Sequence, residues 1–307
     1  MSASSSTTAG ATRGALLVVF AATCWGTWSL WFRPTELPGS VTAPVIFAFG
    51  AFGTIPLVLR ERAQRSAPLI WTPRLAWMLA GYALLDALNA ATFFSAMTVT
   101  TVAVAVLTHD VAPVLVALAA PRIDGTKVPG AGVAAGIALV GVALLLEPWR
   151  PGALGGDVLL GASLGLVSAL AYAANVFLGR KLTLELGSAT TLGLHAVGAM
   201  VLLLPLAGAD LLAIEARDLP RLAIAGIFPG VLAGLAFLRG AALIGSARAA
   251  ILAFLEPVVA CVVGFVAFGE RLSAWSILGG LLVLGAGVLV SWPRRADAET
   301  DASRAQP

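Results

Sequence analysis

The chain has 307 residues, 59% of them apolar and only 11% charged. With its 33 glycines counted, the apolar share is roughly 70%, whereas soluble domains hold about 45 to 50% apolar and about 25% charged residues. A soluble fold of this length lacks enough polar side chains here to cover its surface, so a cytosolic enzyme, a nucleic-acid-binding protein and a disordered chain are excluded and a polytopic membrane protein remains.

Residues 1–13 are small and polar and carry no apolar stretch of the signal-peptide kind. They are expected to form a disordered, solvated tail, as are residues 293–307 at the other end. Between the tails lie ten apolar runs of the length a bilayer-spanning helix needs. They cover residues 14–32, 41–59, 75–97, 102–120, 129–146, 158–178, 189–206, 222–243, 247–268 and 274–292. Ten such spans leave no room for a sizeable extramembrane domain. The net charge of +3 reads as basic loop residues rather than as a surface for nucleic acid. With the N-terminus inside, 14 of the 19 Lys and Arg residues fall on cytoplasmic segments, so both termini are expected in the cytoplasm and the protein in the cell (inner) membrane. The two cysteines, Cys24 and Cys261, sit inside apolar runs as packing groups. Their number and spacing offer neither a disulfide framework nor a metal motif, and no cofactor is expected.

Sliding residues 93–146 onto 237–290, an offset of 144, pairs Phe93 with Phe237, Pro113 with Pro257, Gly125 with Gly269, Gly136 with Gly280 and Gly141 with Gly285. The turn Gly125-Thr126-Lys127 overlies Gly269-Glu270-Arg271. Nine of the 54 pairs are identical, which chance nearly supplies in so apolar a chain, so the weight rests on the turn and the mid-helix prolines falling in register. Five spans per repeat is an odd number, and the halves then insert in opposite orientations. The expected fold is thus all-α, with ten transmembrane helices as two inverted-topology five-helix repeats, residues 14–146 and 158–292. In carriers of this architecture the substrate sits near mid-bilayer between the halves.

Particular residues carry a family resemblance. Gly245-Ser246-Ala247-Arg248-Ala249-Ala250, Leu255-Glu256-Pro257-Val258-Val259-Ala260, Gly269-Glu270-Arg271-Leu272 and a glycine-rich last helix resemble the second EamA repeat of the drug/metabolite transporter superfamily. Trp25-Gly26, Ala112-Pro113-Val114 and the Gly125 turn are similar to the first. The first repeat departs from the family pattern in having Gly125-Thr126-Lys127 for Gly-Glu-Arg, and Thr108-His109-Asp110 in a span more often apolar. The resemblance implies a ten-helix carrier of a small metabolite, with export of amino acids and related compounds common among bacterial members.

Charged groups in a helix centre cost about 2.5 to 3.5 kcal/mol each on insertion scales and face a cavity or a partner. Asp86, Asp110 and Glu256 are the acids inside spans, joined by His109 and His195. At about 1.5 Å per residue, Asp86 and Trp25 lie about 17 Å into their spans, Glu256 about 14 Å, and His109 and Asp110 about 10 to 12 Å. All five fall within about one helical turn of mid-membrane. Tyr82, Asp86, Asn89 and Phe93 share one helix face, a polar stripe with aromatic ends that suits a wet cavity better than interhelical hydrogen bonds alone. Ser168, Tyr172 and Asn175 repeat the spacing, where packing by small polar groups and substrate binding weigh equally. Trp25 and Trp28 are placed to stack on a substrate, and Trp25 is too deep to be an interfacial anchor. His109 is read equally as a proton-coupling group and as a hydrogen-bonded bundle histidine. Glu256 is read equally as a substrate or proton handler and as a structural residue at the Pro257 kink. His195, about 9 Å deep, reads as structural. The candidate site residues are therefore Asp86, Asn89, Tyr82, Trp25, His109, Asp110, Tyr172 and Glu256, facing a small-molecule substrate within the lipid bilayer. No phosphate-binding loop is present. The competing reading is an intramembrane enzyme using His109, Asp110 and Glu256 as acid and base on a lipid or lipid-linked group, against which the absence of an HExxH pattern weighs.

Overall fold

The computed structural model describes residues 2–125 and 128–291. In chain order the helical segments are α1 (Ala9–Thr35), α2 (Gly39–Ala63), α3 (Pro73–Val99), α4 (Val102–Ile123), α5 (Ala131–Leu146), α6 (Val158–Leu186), α7 (Ser188–Ala213), α8 (Leu219–Ile244), α9 (Ser246–Phe268) and α10 (Ala274–Val290). Among the described residues, eight of these are long and apolar enough to cross a membrane, and α5 and α10 are shorter apolar helices. The protein is all-helical there, with one isolated bridge between Thr100 and Gly156.

The ends of the helices follow from local chemistry. Thr72 caps α3 by accepting from the Leu75 amide at 3.2 Å, ahead of Pro73 in the first turn, and Asp157 caps α6 through the Leu160 amide at 3.0 Å. The α6 helix runs to Leu186, past the apolar run that ends at 178, and stops at Gly187 with φ +86°. Hydrophobicity marks where the bilayer is met, not where helical hydrogen bonding ends, and Arg180, Lys181 and Glu185 are sound helix formers. The same distinction corrects the expected N-terminal tail. The first helix extends back to Ser2, because residues 2–13 hold no proline and a single glycine, so nothing in them ends the helix. Residues 293–307, and Thr126 and Lys127 of the first repeat's turn, lie outside the described residues.

Two helices are broken at matched places. α4 consists of Val102–His109 and Ala112–Ile123, and α9 of Ser246–Ala253 and Leu255–Phe268. The offset of 144 superposes the two breaks, with Pro113 and Pro257 entering the second pieces, and Gly125 and Gly269 that follow them both have φ +67°. A third irregularity is the π turn Gly226–Leu232 around Pro229 in α8.

Large apolar side chains such as Trp77, Leu159 and Val266 point outward, while the core is rich in alanine, as at Ala21, Ala134, Ala138 and Ala241. Lipid is as apolar as a leucine side chain, so helix association in a membrane relies on close approach of small residues. At the contact of α5 with α10, a Cβ on Gly141 would lie 2.7 Å from the Gly279 carbonyl oxygen; where α1 meets α8, a Cβ on Gly240 would lie 2.8 Å from that of Gly14.

The most extensive packing joins helices of the first five to helices of the second five: α2 with α7, α3 with α6, α5 with α10, α1 with α8, α4 with α6 and α1 with α9. Exchanging each helix for the one five places away returns the same set of pairs. Turns gather at two opposite ends. At one, Glu61 accepts from the Ala189 amide (3.2 Å), the Thr190 amide (2.8 Å) and the Thr190 hydroxyl (2.7 Å), which caps α7 from the end of α2. Asp124 there accepts from the Ser246 amide at 3.2 Å and pairs with Arg180 at 3.6 Å. At the other end Arg33 pairs with Glu270 at 2.6 Å, and the Thr100 hydroxyl donates to the Gly155 carbonyl at 2.8 Å.

Replacing Gly279 by leucine is expected to force α5 and α10 apart and cost about 1–3 kcal/mol through overpacking. The measurement is the thermal unfolding midpoint in detergent, with Gly285→Ala, where nothing lies within 4 Å of an added Cβ, as the unchanged control.

Candidate functional site in the membrane interior

The polar stripe of α3 is met by α6, α7 and α4. Asp86 is held from two sides: Oδ2 lies 2.7 Å from Nε2 of His195 on α7, and Oδ1 accepts from Nδ2 of Asn175 on α6 at 3.2 Å. One turn along, Asn89 Oδ1 accepts from the Ser168 hydroxyl at 2.7 Å, and that hydroxyl lies 2.8 Å from Nδ1 of His109. With the single Ser168 proton directed at Asn89, His109 donates from Nδ1, which leaves its Nε2 an acceptor in the neutral ring. Two short networks therefore tie α3 to the second half of the chain, one centred on Asp86 and one on Asn89.

Aromatic rings enclose these groups. The Tyr82 ring lies 4.4 Å from that of His195, and the Phe47 ring meets the same imidazole edge-on at 5.6 Å. His109 stands between Phe93 at 4.8 Å and Tyr172 at 5.3 Å. Tyr172 is within electrostatic range of Glu256, Asp110 and Asp86, and Glu256 is within range of Asp110. Tyr172 thus stands between the buried pair on Asp86 and the two carboxylates at the breaks of α4 and α9. Asp86, Asn89, His109, Asp110, Tyr172 and Glu256 keep intermediate exposure far from either end of the bundle, as groups lining an internal cavity do.

The breaks place the two carboxylates. Asp110 ends the first piece of α4 one residue before the second begins, and Glu256 sits in the first turn of the second piece of α9. Non-helical backbone at this depth is tolerated where it is buried in protein or lines a cavity. Packing is tight around the first piece of α9, where every residue but Arg248 is buried; in the second piece, Leu255–Phe268, only Gly264 is.

Trp25 is arranged differently. Its indole donates to the Pro229 carbonyl at 3.0 Å and its ring lies 5.1 Å from Phe237, so it fastens α1 to the irregular turn of α8. Trp28 stacks on Phe32 at 5.0 Å. His195, read from the sequence as a structural residue, is instead the direct partner of Asp86. The depth count that set it aside measured distance along its own helix and ignored the register of α7 against α3. Ser168 and Asn175, recognised only as a spacing, are the links that close both networks. Among the described residues no group of three or more His, Cys, Asp or Glu side chains is arranged to hold a metal ion.

Comparison with known proteins agrees with this architecture. Residues 159–292 match the EamA-like transporter family. An uncharacterized transporter of Archaeoglobus fulgidus is 28% identical over 298 residues, covering 91% of this chain and 96% of that protein. A solved crystal structure that is 17% identical superposes with a TM-score of 0.74 over 91% of this chain and 98% of its own, a likeness of fold. Helices, buried polar site and relatives together define a multi-pass membrane transporter. The segment that matches the EamA-like transporter family comprises α6 to α10.

Leaving a buried acceptor without its hydrogen-bond donor costs about 1–3 kcal/mol, and more where the acceptor is charged. His195→Ala is expected to destabilise the protein on that scale, and His195→Gln combined with Asp86→Asn to recover much of the loss. Unfolding midpoints of His195→Ala and of the double variant check this.

Proposed function

We propose that this chain is a secondary transporter that exports a small metabolite, such as an amino acid or related compound, by alternating access between two inverted five-helix repeats, residues 14–146 and 158–292. The observation that carries the reading is the convergence of α3, α4, α6, α7 and α9 on one enclosed polar site, with α4 and α9 broken there at repeat-related positions. The exchange symmetry of the helix pairs and the equal φ of Gly125 and Gly269 support two repeats of five spans. In this reading α5 and α10 cross the membrane as well, for ten transmembrane helices in all. Asp86, Asn89, Tyr82, His109, Asp110, Tyr172 and Glu256 face the substrate path, and Trp25 holds the helix that borders it. Rocking of one repeat against the other moves the substrate past this fixed point, and a proton-coupled step runs through His109 or Glu256.

The basic turns α2–α3, α4–α5, α6–α7 and α8–α9 gather at the end closed by Glu61 and Asp124. That end faces the cytoplasm by the distribution of Lys and Arg, and both termini lie on the same side of the inner membrane.

Flux of amino acids and related metabolites into vesicles reconstituted with purified protein tests the function. Asp86→Asn is expected to reduce flux at least about tenfold at unchanged yield of folded protein, and flux indifferent to an imposed pH gradient would remove the proton step. For topology, Ser66→Cys is expected to react with a membrane-impermeant maleimide only in inverted vesicles, and Ala216→Cys only in intact cells.

A further inference from the structure

Several acceptors of the buried polar site have no donor among the described contacts. Among the buried side-chain atoms without a partner are Asp110 Oδ2, Asn175 Oδ1 and His195 Nδ1; Asn175 and His195 are only 5% and 4% exposed. The first two are acceptors, and the third is an acceptor whenever the neutral imidazole uses Nε2–H on Asp86. Neither Asp110 nor Glu256 has a hydrogen bond or ion pair on its carboxylate among the described contacts, although Asp86 has both His195 and Asn175. Three donors near that depth are engaged elsewhere: the Trp25 indole on Pro229, the Ser168 hydroxyl on Asn89 and the Asn175 amide on Asp86. Every described Lys and Arg lies in a loop or within two turns of a helix end, so no permanent cation balances the carboxylates. The helix N-termini at Ala112 and Leu255 contribute about half a positive charge each, less than a carboxylate carries. A buried acceptor without a donor costs about 1–3 kcal/mol, and more if it is charged, so the uncompensated carboxylates of Asp110 and Glu256 mark a place built for something that brings donors and positive charge.

We propose that the substrate is recognised through a protonated amine, held by the carboxylates of Asp110 and Glu256 beside the Tyr172 ring. This rests on the transporter reading and narrows it. An ammonium supplies three N–H donors and the missing charge, and the faces of Tyr172 and Phe93 attract a cation further. A free carboxylate on the same molecule finds no Arg or Lys at this depth, so the site favours an amine of net positive charge over the corresponding amino acid.

Calorimetric titration of the full chain in detergent tests this with phenethylamine and butylamine against 2-phenylethanol, 3-phenylpropionate and phenylalanine. At least one amine is expected to bind about tenfold or more tighter than the alcohol, the acid and the zwitterion. Asp110→Asn and Glu256→Gln, isosteric changes on different helices, are each expected to weaken that binding about tenfold. Equal binding of the alcohol, the acid or the zwitterion overturns the proposal, as does binding of neither amine, or full amine affinity in both variants once each shows a native elution profile. Vesicle flux separates this from the broader reading. An amine that binds but is never moved leaves the site and removes the transporter, whereas transport of another solute without amine binding leaves the transporter and removes the amine.

Discussion

Hydrocarbon offers no hydrogen bonds, and that constraint governs the whole molecule. It requires helices wherever the chain meets lipid, and it admits irregular backbone only where other helices or an internal cavity supply partners. The breaks in α4 and α9 and the π turn in α8 are therefore informative about position: each lies against another helix rather than against lipid. Trp25 fills this role at Pro229 by donating to its carbonyl. Gly26, directly after it, lets α1 approach so closely that an added Cβ would lie 2.8 Å from the Glu256 carbonyl oxygen. The same packing that satisfies the backbone thus brings Gly26 of α1 against the break of α9.

Lipid cannot drive apolar helices together, so closeness of backbone does the work that hydrophobic burial does in water. The Gly141–Gly279 and Gly14–Gly240 approaches show this, and so does a core made largely of alanine. Polar contacts across the bundle serve a different purpose. Those at its ends, Glu61 on α7 and Asp124 on α9, cap helix N-termini that would otherwise expose unsatisfied amides. Those in its centre, Asp86 with His195 and Asn89 with Ser168, join the first five helices to the second five deep inside the bundle. A carrier must reorganise such contacts between its halves, and short polar side chains in small networks can exchange partners more readily than tightly fitted apolar surfaces.

The helices were legible because a run of apolar residues bounded by charge has one stable solution in a bilayer, and the matched breaks were legible because prolines and glycines mark backbone shape directly. Pro113 and Pro257, Gly125 and Gly269 recur in register with little other identity, and the breaks and left-handed turns fall beside them. Partnership was not legible. His195 looked shallow along its own helix, and Ser168 and Asn175 looked like packing residues, since a side chain's partner depends on the register of a neighbouring helix, which periodicity within one helix does not contain. The N-terminal residues show the opposite limit: polarity placed them outside the membrane, yet helical hydrogen bonding continues through them to Ser2.

Length, composition and the placement of charges by themselves determined that this is a polytopic helical membrane protein, where most of its helices begin and end to within a few residues, and which three acids lie deep in it. Those properties follow from transfer free energy and backbone stereochemistry, which act residue by residue. Only the tertiary structure decided that Asp86 is paired while Asp110 and Glu256 are not, and that Tyr172 stands between them. Charge compensation depends on which helices are neighbours and at what height, and that is settled by packing across the whole bundle.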